Sequence, residues 1–399
     1  MLKSSSLYYA IVIMLLSGIL LSSILFIENY FFQIINIHYN SDKLIDFNKS
    51  SINYSLEYFN SIDTTYSKFE PFNNNSISLI KRMDWGYLDV LYCTSIYKKD
   101  TINRIGIVEN YDKDKFALFL KDNNIPLSMN NCIIKGNIKL PDAMFKQLYL
   151  TRENNGKNLI RGKILSSEKF MFKAKTFKLP KVINDTLFFD RLENKVEIYN
   201  DFKNKPIFIV LKKKHKLKNL IIKGKCIIKA VDSIIIYPTA SLEDVIIISP
   251  KIIIKDNFKG SLQFFAKKDL IVGNNVQLKN PSVLLNFCDA DRKLNVLQIG
   301  KNCNIEGGII LNDNSFGKNS IMKIDKNTLI TGKIYCNSAL FFKGNIKGSI
   351  YTNKFIYDNG EMKFDNALKG ITIDNTKKIN SIILKENVSA GYYKIIKWL

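Results

Sequence analysis

The chain predicts a mainly β protein: an N-terminal transmembrane helix, a small α+β region, then an irregular parallel β-helix or solenoid, with a β-sandwich as the alternative for the last part. Three observations carry this. Between Lys3 and Glu28 run 24 residues without a charge, enough at about 1.5 Å per residue to cross a hydrocarbon layer of roughly 30 Å as one helix. Residues 77–97 and 102–122 alternate apolar with polar side chains, the pattern of half-buried strands. From about residue 127 the chain breaks into short apolar runs joined by Gly, Asn or Lys. They leave no room for the crossover helices of an α/β sheet, and a coil of short parallel strands needs none.

The apolar stretch sets the frame. Leu7, Ile11, Leu15, Ile19, Leu20, Ile24 and Ile27 form the expected anchor within residues 1–28, and Ser17, Ser22 and Ser23 can bond to carbonyls one turn back. The run exceeds the usual core of a cleaved signal, and no small-x-small site precedes Glu28. Lys3 before the span and Glu28 after it orient Met1 to the cytoplasm and the body to the periplasm, as a single-pass inner-membrane protein. Tyr30, Phe31 and Phe32 suit the lipid–water interface. Within 29–61, Ile45, Ile52, Leu56 and Phe59 recur at helical intervals and predict a juxtamembrane amphipathic helix.

Residues 62–126 are expected to form a small β-rich domain, with a loop around Pro71, a turn at Asp112-Lys113-Asp114, and Trp85-Gly86 as a packed aromatic beside a tight backbone position. Residues 127–218 are expected to form a first stacked-strand region with an insertion, in which PDAMFKQLYL (141–150) reads as a short helix or an insertion between strands. Residues 219–399 form the β-helix body, with the aromatic C-terminal stretch as its cap. The recurring local form is apolar, x, Gly, x, apolar. It places glycine where a strand bends or where backbone meets backbone.

Fifty-nine Lys and Arg against 36 Asp and Glu give a net charge of +23, which favours anionic surfaces: lipid headgroups, acidic polysaccharide or nucleic acid. Export makes nucleic acid the least suited. Lys212, Lys213, Lys214, Lys216 and Lys218, grouped around His215, form the candidate contact with such a surface. With two histidines in all, a histidine zinc site or a Ser-His-Asp triad has little material. No phosphate loop, dinucleotide fingerprint, HExxH or GxSxG occurs, and no cofactor or metal is expected. Asp289, Asp291 and Arg292 make the most site-like polar cluster, and six scattered cysteines without a CxxC pair fit buried thiols.

LIDFNKSSINYSLEY (44–58), RMDWGYLDV (82–90) and the element of Cys132, Gly136, Ile138, Leu140 and Pro141 resemble uncharacterised single-pass envelope proteins of gliding and related Gram-negative bacteria, over about the first 145 residues. The glycine-bearing strands look like those of polymer-forming β-helical scaffold proteins. The N-terminal helix is similar in architecture to that of pilin-like subunits, without their processing pattern. These resemblances imply no catalytic residue. They imply a non-enzymatic structural or docking component of an envelope assembly, in secretion or surface motility, that meets lipid, other envelope proteins or further copies of itself. A polysaccharide-binding or polysaccharide-processing β-helix is the alternative.

Overall fold

A computed structural model describes residues 4–70, 76–110, 116–150, 156–171, 174, 186–189, 195–212, 214–288, 295–313, 320–376 and 393–399. The chain divides into two compact units, Met1–Arg82 with Leu91–Ile105, and Met83–Val90 with Gly106–Leu399.

The first unit is built on one helix, α1 (Ser4–Glu57). The expected division at residue 28 is absent, because neither Gly nor Pro occurs between Gly18 and Glu57 to interrupt the backbone ladder. A 3₁₀ turn at Phe59–Ser61 follows. Leu44, Phe47, Asn48, Ser51, Ile52 and Ser55 are buried, as is Phe59 in the turn. Of the expected stripe, Ile52 and Phe59 are buried, whereas Ile45 and Leu56 are only half-buried. The face is rotated because its centre is polar. Asn48 Nδ2 donates to Ser95 Oγ at 2.9 Å, and the Ser78 hydroxyl lies 2.7 Å from that of Ser51 and 2.6 Å from that of Ser95. Burying small hydroxyls this way costs little, since they satisfy one another. Strands β1 (Ser67–Phe69), β2 (Ser76–Trp85), β3 (Leu88–Tyr97) and β4 (Asp100–Asn110) lie side by side in chain order, and β1 pairs antiparallel with β2.

The second unit is a closed, solenoid-like parallel sheet, not the antiparallel pairing of the sandwich alternative. Each coil stacks like residues on the coils beside it. One inward ladder runs through Ile209, Ile228, Ile247, Phe264, Leu284, Ile309, Ile334 and Ile350. It then continues into Leu118, Ile138 and Ile164. The solenoid is therefore spliced: residues 118–166 extend the end reached by residues 345–374. The stacked strands begin at Leu118, and residues 127–218 and 219–399 do not form separate bodies. Lys135 Nζ bonds Asp374 at 2.9 Å across the junction.

Two sequence features fix the coil. Gly307, Gly332 and Gly348 are in register at φ +142°, +147° and +138°, and a Cβ on any of them would sit within 2 Å of the carbonyl oxygen of the coil before. Asn257, Asn275, Asn302 and Asn327 hold the left-handed corner, which Asn tolerates better than most residues. The backbone N–H of each of Asn257, Asn275 and Asn302 donates to a carbonyl in the turn of the next coil.

The outward row beside the ladder is also buried: Ile248, Phe265, Leu285, Ile310, Tyr335, Tyr351 and Phe119. The β2–β3 turn covers part of it. Gln263, 2% exposed, donates from Nε2 to the Trp85 carbonyl and accepts from the Tyr87 N–H, both at 2.8 Å. Trp85 is core, packed edge-on against Phe202, and Gly86 (φ +66°) is the tight position the sequence predicts. The C-terminal strand Tyr393–Trp398 does not cap the solenoid. It pairs antiparallel with β4, and Lys397 reaches Asp244 and Glu243 of the solenoid at 2.7 and 3.1 Å. The 141–150 segment forms a 3₁₀ turn (Pro141–Ala143) and a strand (Phe145–Gln147).

Candidate ligand groove and apolar helix

An open groove of about 710 Å³ lies on the solenoid. Its floor follows one outward row, in which Gln298 stacks on Lys323 and Lys323 on Phe341. Corner residues Asp325, Lys326 and Asn327 form one side, with Lys343 from the corner that follows and Asn345 from the start of the next strand. The other side is a hairpin, Ile356–Asp358 paired with Lys363–Asp365, which brings Tyr357, Asp358, Asn359 and Gly360 to the rim, and Lys369 closes the groove. The hairpin turn is held locally, with Asp358 accepting from the Gly360 N–H and Asn359 from those of Glu361 and Met362.

The groove carries four ammonium groups against two carboxylates. Among the described residues no carboxylate pairs with Lys323, Lys326 or Lys343, while Lys323 Nζ stands 5.6 Å from the centre of the Phe341 ring. Burial raises the Tyr357 hydroxyl above the ordinary tyrosine value, so it remains a neutral donor. Such an arrangement can hold an anion on its ammonium groups, set an apolar ring beside it, and bond hydroxyls with Gln298, Asn327, Asn345 and Asn359.

The lysine run lies on the same outward row, several coils away. Lys216 is followed in register by Ile235, Ile253, Ile271, Gln298, Lys323 and Phe341. Lys212, Lys214, Lys216 and Lys218 are exposed, His215 and Leu217 turn inward, and Lys213 lies outside the described residues. His215 begins the inward ladder that passes through Ile234, Ile252, Leu270, Leu297, Met322, Leu340 and Phe355.

The helix residues expected in the anchor and at the interface, Leu7, Ile11, Leu15, Ile19, Leu20, Ile24, Ile27, Tyr30, Phe31 and Phe32, are all 54–68% exposed. The hydroxyls of Ser17, Ser22 and Ser23 bond to the carbonyls of Met14, Gly18 and Ile19. By length and composition this part of α1 can cross a membrane.

The cluster of Asp289, Asp291 and Arg292 and the turn at Asp112-Lys113-Asp114 lie outside the described residues. Cys93, Cys132, Cys226 and Cys303 are buried free thiols, and Cys336 is buried. Burial pushes Cys93 up to about 11 and Cys226 up to about 12, which makes both poor nucleophiles near neutral pH.

Sequence reasoning missed the groove because its residues come from separate coils. The turn motif that aligns them was nevertheless present: an aliphatic or aromatic residue, two others, then Asn, at 254–257, 272–275, 299–302, 324–327 and 342–345. Aligning the chain on it places Lys323 and Phe341 side by side. No known family model, curated protein or solved structure matches the chain.

Proposed function

We propose that the protein is a non-enzymatic, membrane-anchored docking component of a cell-envelope assembly, with α1 spanning the inner membrane and a parallel β-helix as its periplasmic body. One observation supports this above the rest: the large apolar residues of α1 from Leu7 to Ile27 are exposed, while later turns of the same helix are buried in a folded unit. A removable signal would have no reason to continue without a break into a folded domain; a retained tether would. The body then works by position, with diffusion restricted to the membrane plane and stacked strands offering a stiff surface to partners. Secretion or surface-motility machinery fits such a component.

Membrane fractionation combined with intact mass and a reporter fused after residue 60 tests the reading. An uncut chain that resists carbonate extraction, with the reporter outside the cytoplasm, is the expected result. A soluble form beginning beyond residue 28, or a cytoplasmic reporter, overturns it. The groove favours a second reading, a polysaccharide-binding body, which is compatible with the first.

A further inference from the structure

We infer that the solenoid face running from Lys216 to Phe341 binds a linear polyuronate laid along the coil axis. The inference rests on the face itself and does not depend on the anchor. The row starts at an exposed basic run, passes the buried Ile235 and the half-buried Ile253 and Ile271, and ends in a groove with three lysines unpaired among the described residues. Neighbouring strands lie about 4.8 Å apart, so the six steps from Lys216 to Phe341 span roughly 29 Å. A polymer following the axis meets a cationic site at each end and the half-buried Ile253 and Ile271 between them.

The charge pattern selects the polymer. Asp325 and Asp358 stand among the groove lysines, and they would repel a chain with the charge density of nucleic acid, about one negative charge per 1.7 Å of duplex. A polyuronate carries at most one carboxylate per sugar, and its hydroxyls match the amides of Gln298, Asn327, Asn345 and Asn359. The carboxylate would be held by Lys323 and Lys343, with a ring face over Phe341.

Purified full-length protein in detergent, titrated calorimetrically with alginate oligomers of four and of twelve sugars, tests this. Both are expected to bind, and the longer one more tightly because it reaches both ends. The double variant Lys323→Gln/Lys343→Gln should weaken both about tenfold or more. Lys216→Gln/Lys218→Gln should weaken only the longer oligomer, and Lys229→Gln/Lys347→Gln, in rows outside the groove lining, should change neither. Phe341→Ser should weaken both oligomers without a change in salt dependence. Equal losses from all three lysine pairs would reduce the binding to general charge attraction and overturn the inference. So would a single-stranded oligonucleotide that binds the groove more tightly than alginate, or alginate binding that Lys323→Gln/Lys343→Gln leaves intact.

Discussion

Ile350 and Leu118 are partners in one parallel rung, although more than half the chain separates them. Both are fully buried, and the inward ladder passes through them without a change of register. The pairing joins two stretches of chain into one solenoid.

Truncating either partner should therefore destabilise the whole second unit. Ile350→Ala and Leu118→Ala should each cost about 2–5 kcal/mol. In chemical denaturation the double variant should lose less than the sum, since the two side chains share a contact. Strict additivity would mean that the rung is not formed in solution.

The glycine stack allows a sharper test. A Cβ at Gly332 would lie 1.9 Å from the Gly307 carbonyl oxygen, at a φ that side chains disfavour. Gly332→Ala should lower stability by at least about 2 kcal/mol, whereas Gly360→Ala, where nothing lies within 4 Å, should bear only the cost of its positive φ. Thermal unfolding of the two variants side by side measures the difference, and equal shifts would show that the coils do not approach as closely as described.

Gln263 holds the β2–β3 turn by two hydrogen bonds to backbone. Gln263→Leu removes both and leaves the Trp85 carbonyl and Tyr87 N–H without that partner in a buried place, at about 1–3 kcal/mol for each group left unsatisfied. Trp85 reports the change directly: its fluorescence should shift to the red and become accessible to a quencher. An unchanged Trp85 signal would mean that packing on Phe202 alone holds the turn.

Asp374 accepts from the Thr376 hydroxyl and the Lys135 ammonium, and these bonds hold its carboxyl at about 2, below the usual 3.8. Because the folded value is the lower one, the stabilisation is complete above about pH 4 and fades as pH falls toward 2. Discounted for partial exposure, it amounts to about 1 kcal/mol. Asp374→Asn should be less stable than the parent by that amount at pH 6 and indistinguishable from it near pH 2. A gap that persists at pH 2 would assign the effect to something other than this charge.

Much of the architecture was legible because it is local. The uncharged run, the alternation in 77–97 and the apolar-x-Gly-x-apolar form each report a backbone requirement within a few residues. The groove and the splice report none, since they depend on which coil lies beside which. Register could have been read from the corner asparagines Asn257, Asn275, Asn302 and Asn327, whose spacing runs 18, 27 and 25 residues. The two long intervals contain residues 289–294 and 314–319, and the unequal spacing hid an 18-residue coil. Glycine gives no single register: Gly273 and Gly300 lie on the corners, whereas Gly332 belongs to the stack with Gly307 and Gly348. On α1 the apolar pattern pointed to Ile45 and Leu56, because a buried seam of serines leaves no trace in hydrophobicity.

The splice also orders events during synthesis. Leu118–Leu120 leaves the ribosome well before the strand Asn345–Asp358 that it joins, a delay on the order of tens of seconds at ordinary elongation rates. Through that interval one edge of the early strand has no neighbour, and open edges invite pairing with the wrong chain. The last coils to be translated therefore act as the closing piece, and a ribosome that stalls before residue 345 releases a chain whose first-made strands cannot finish folding.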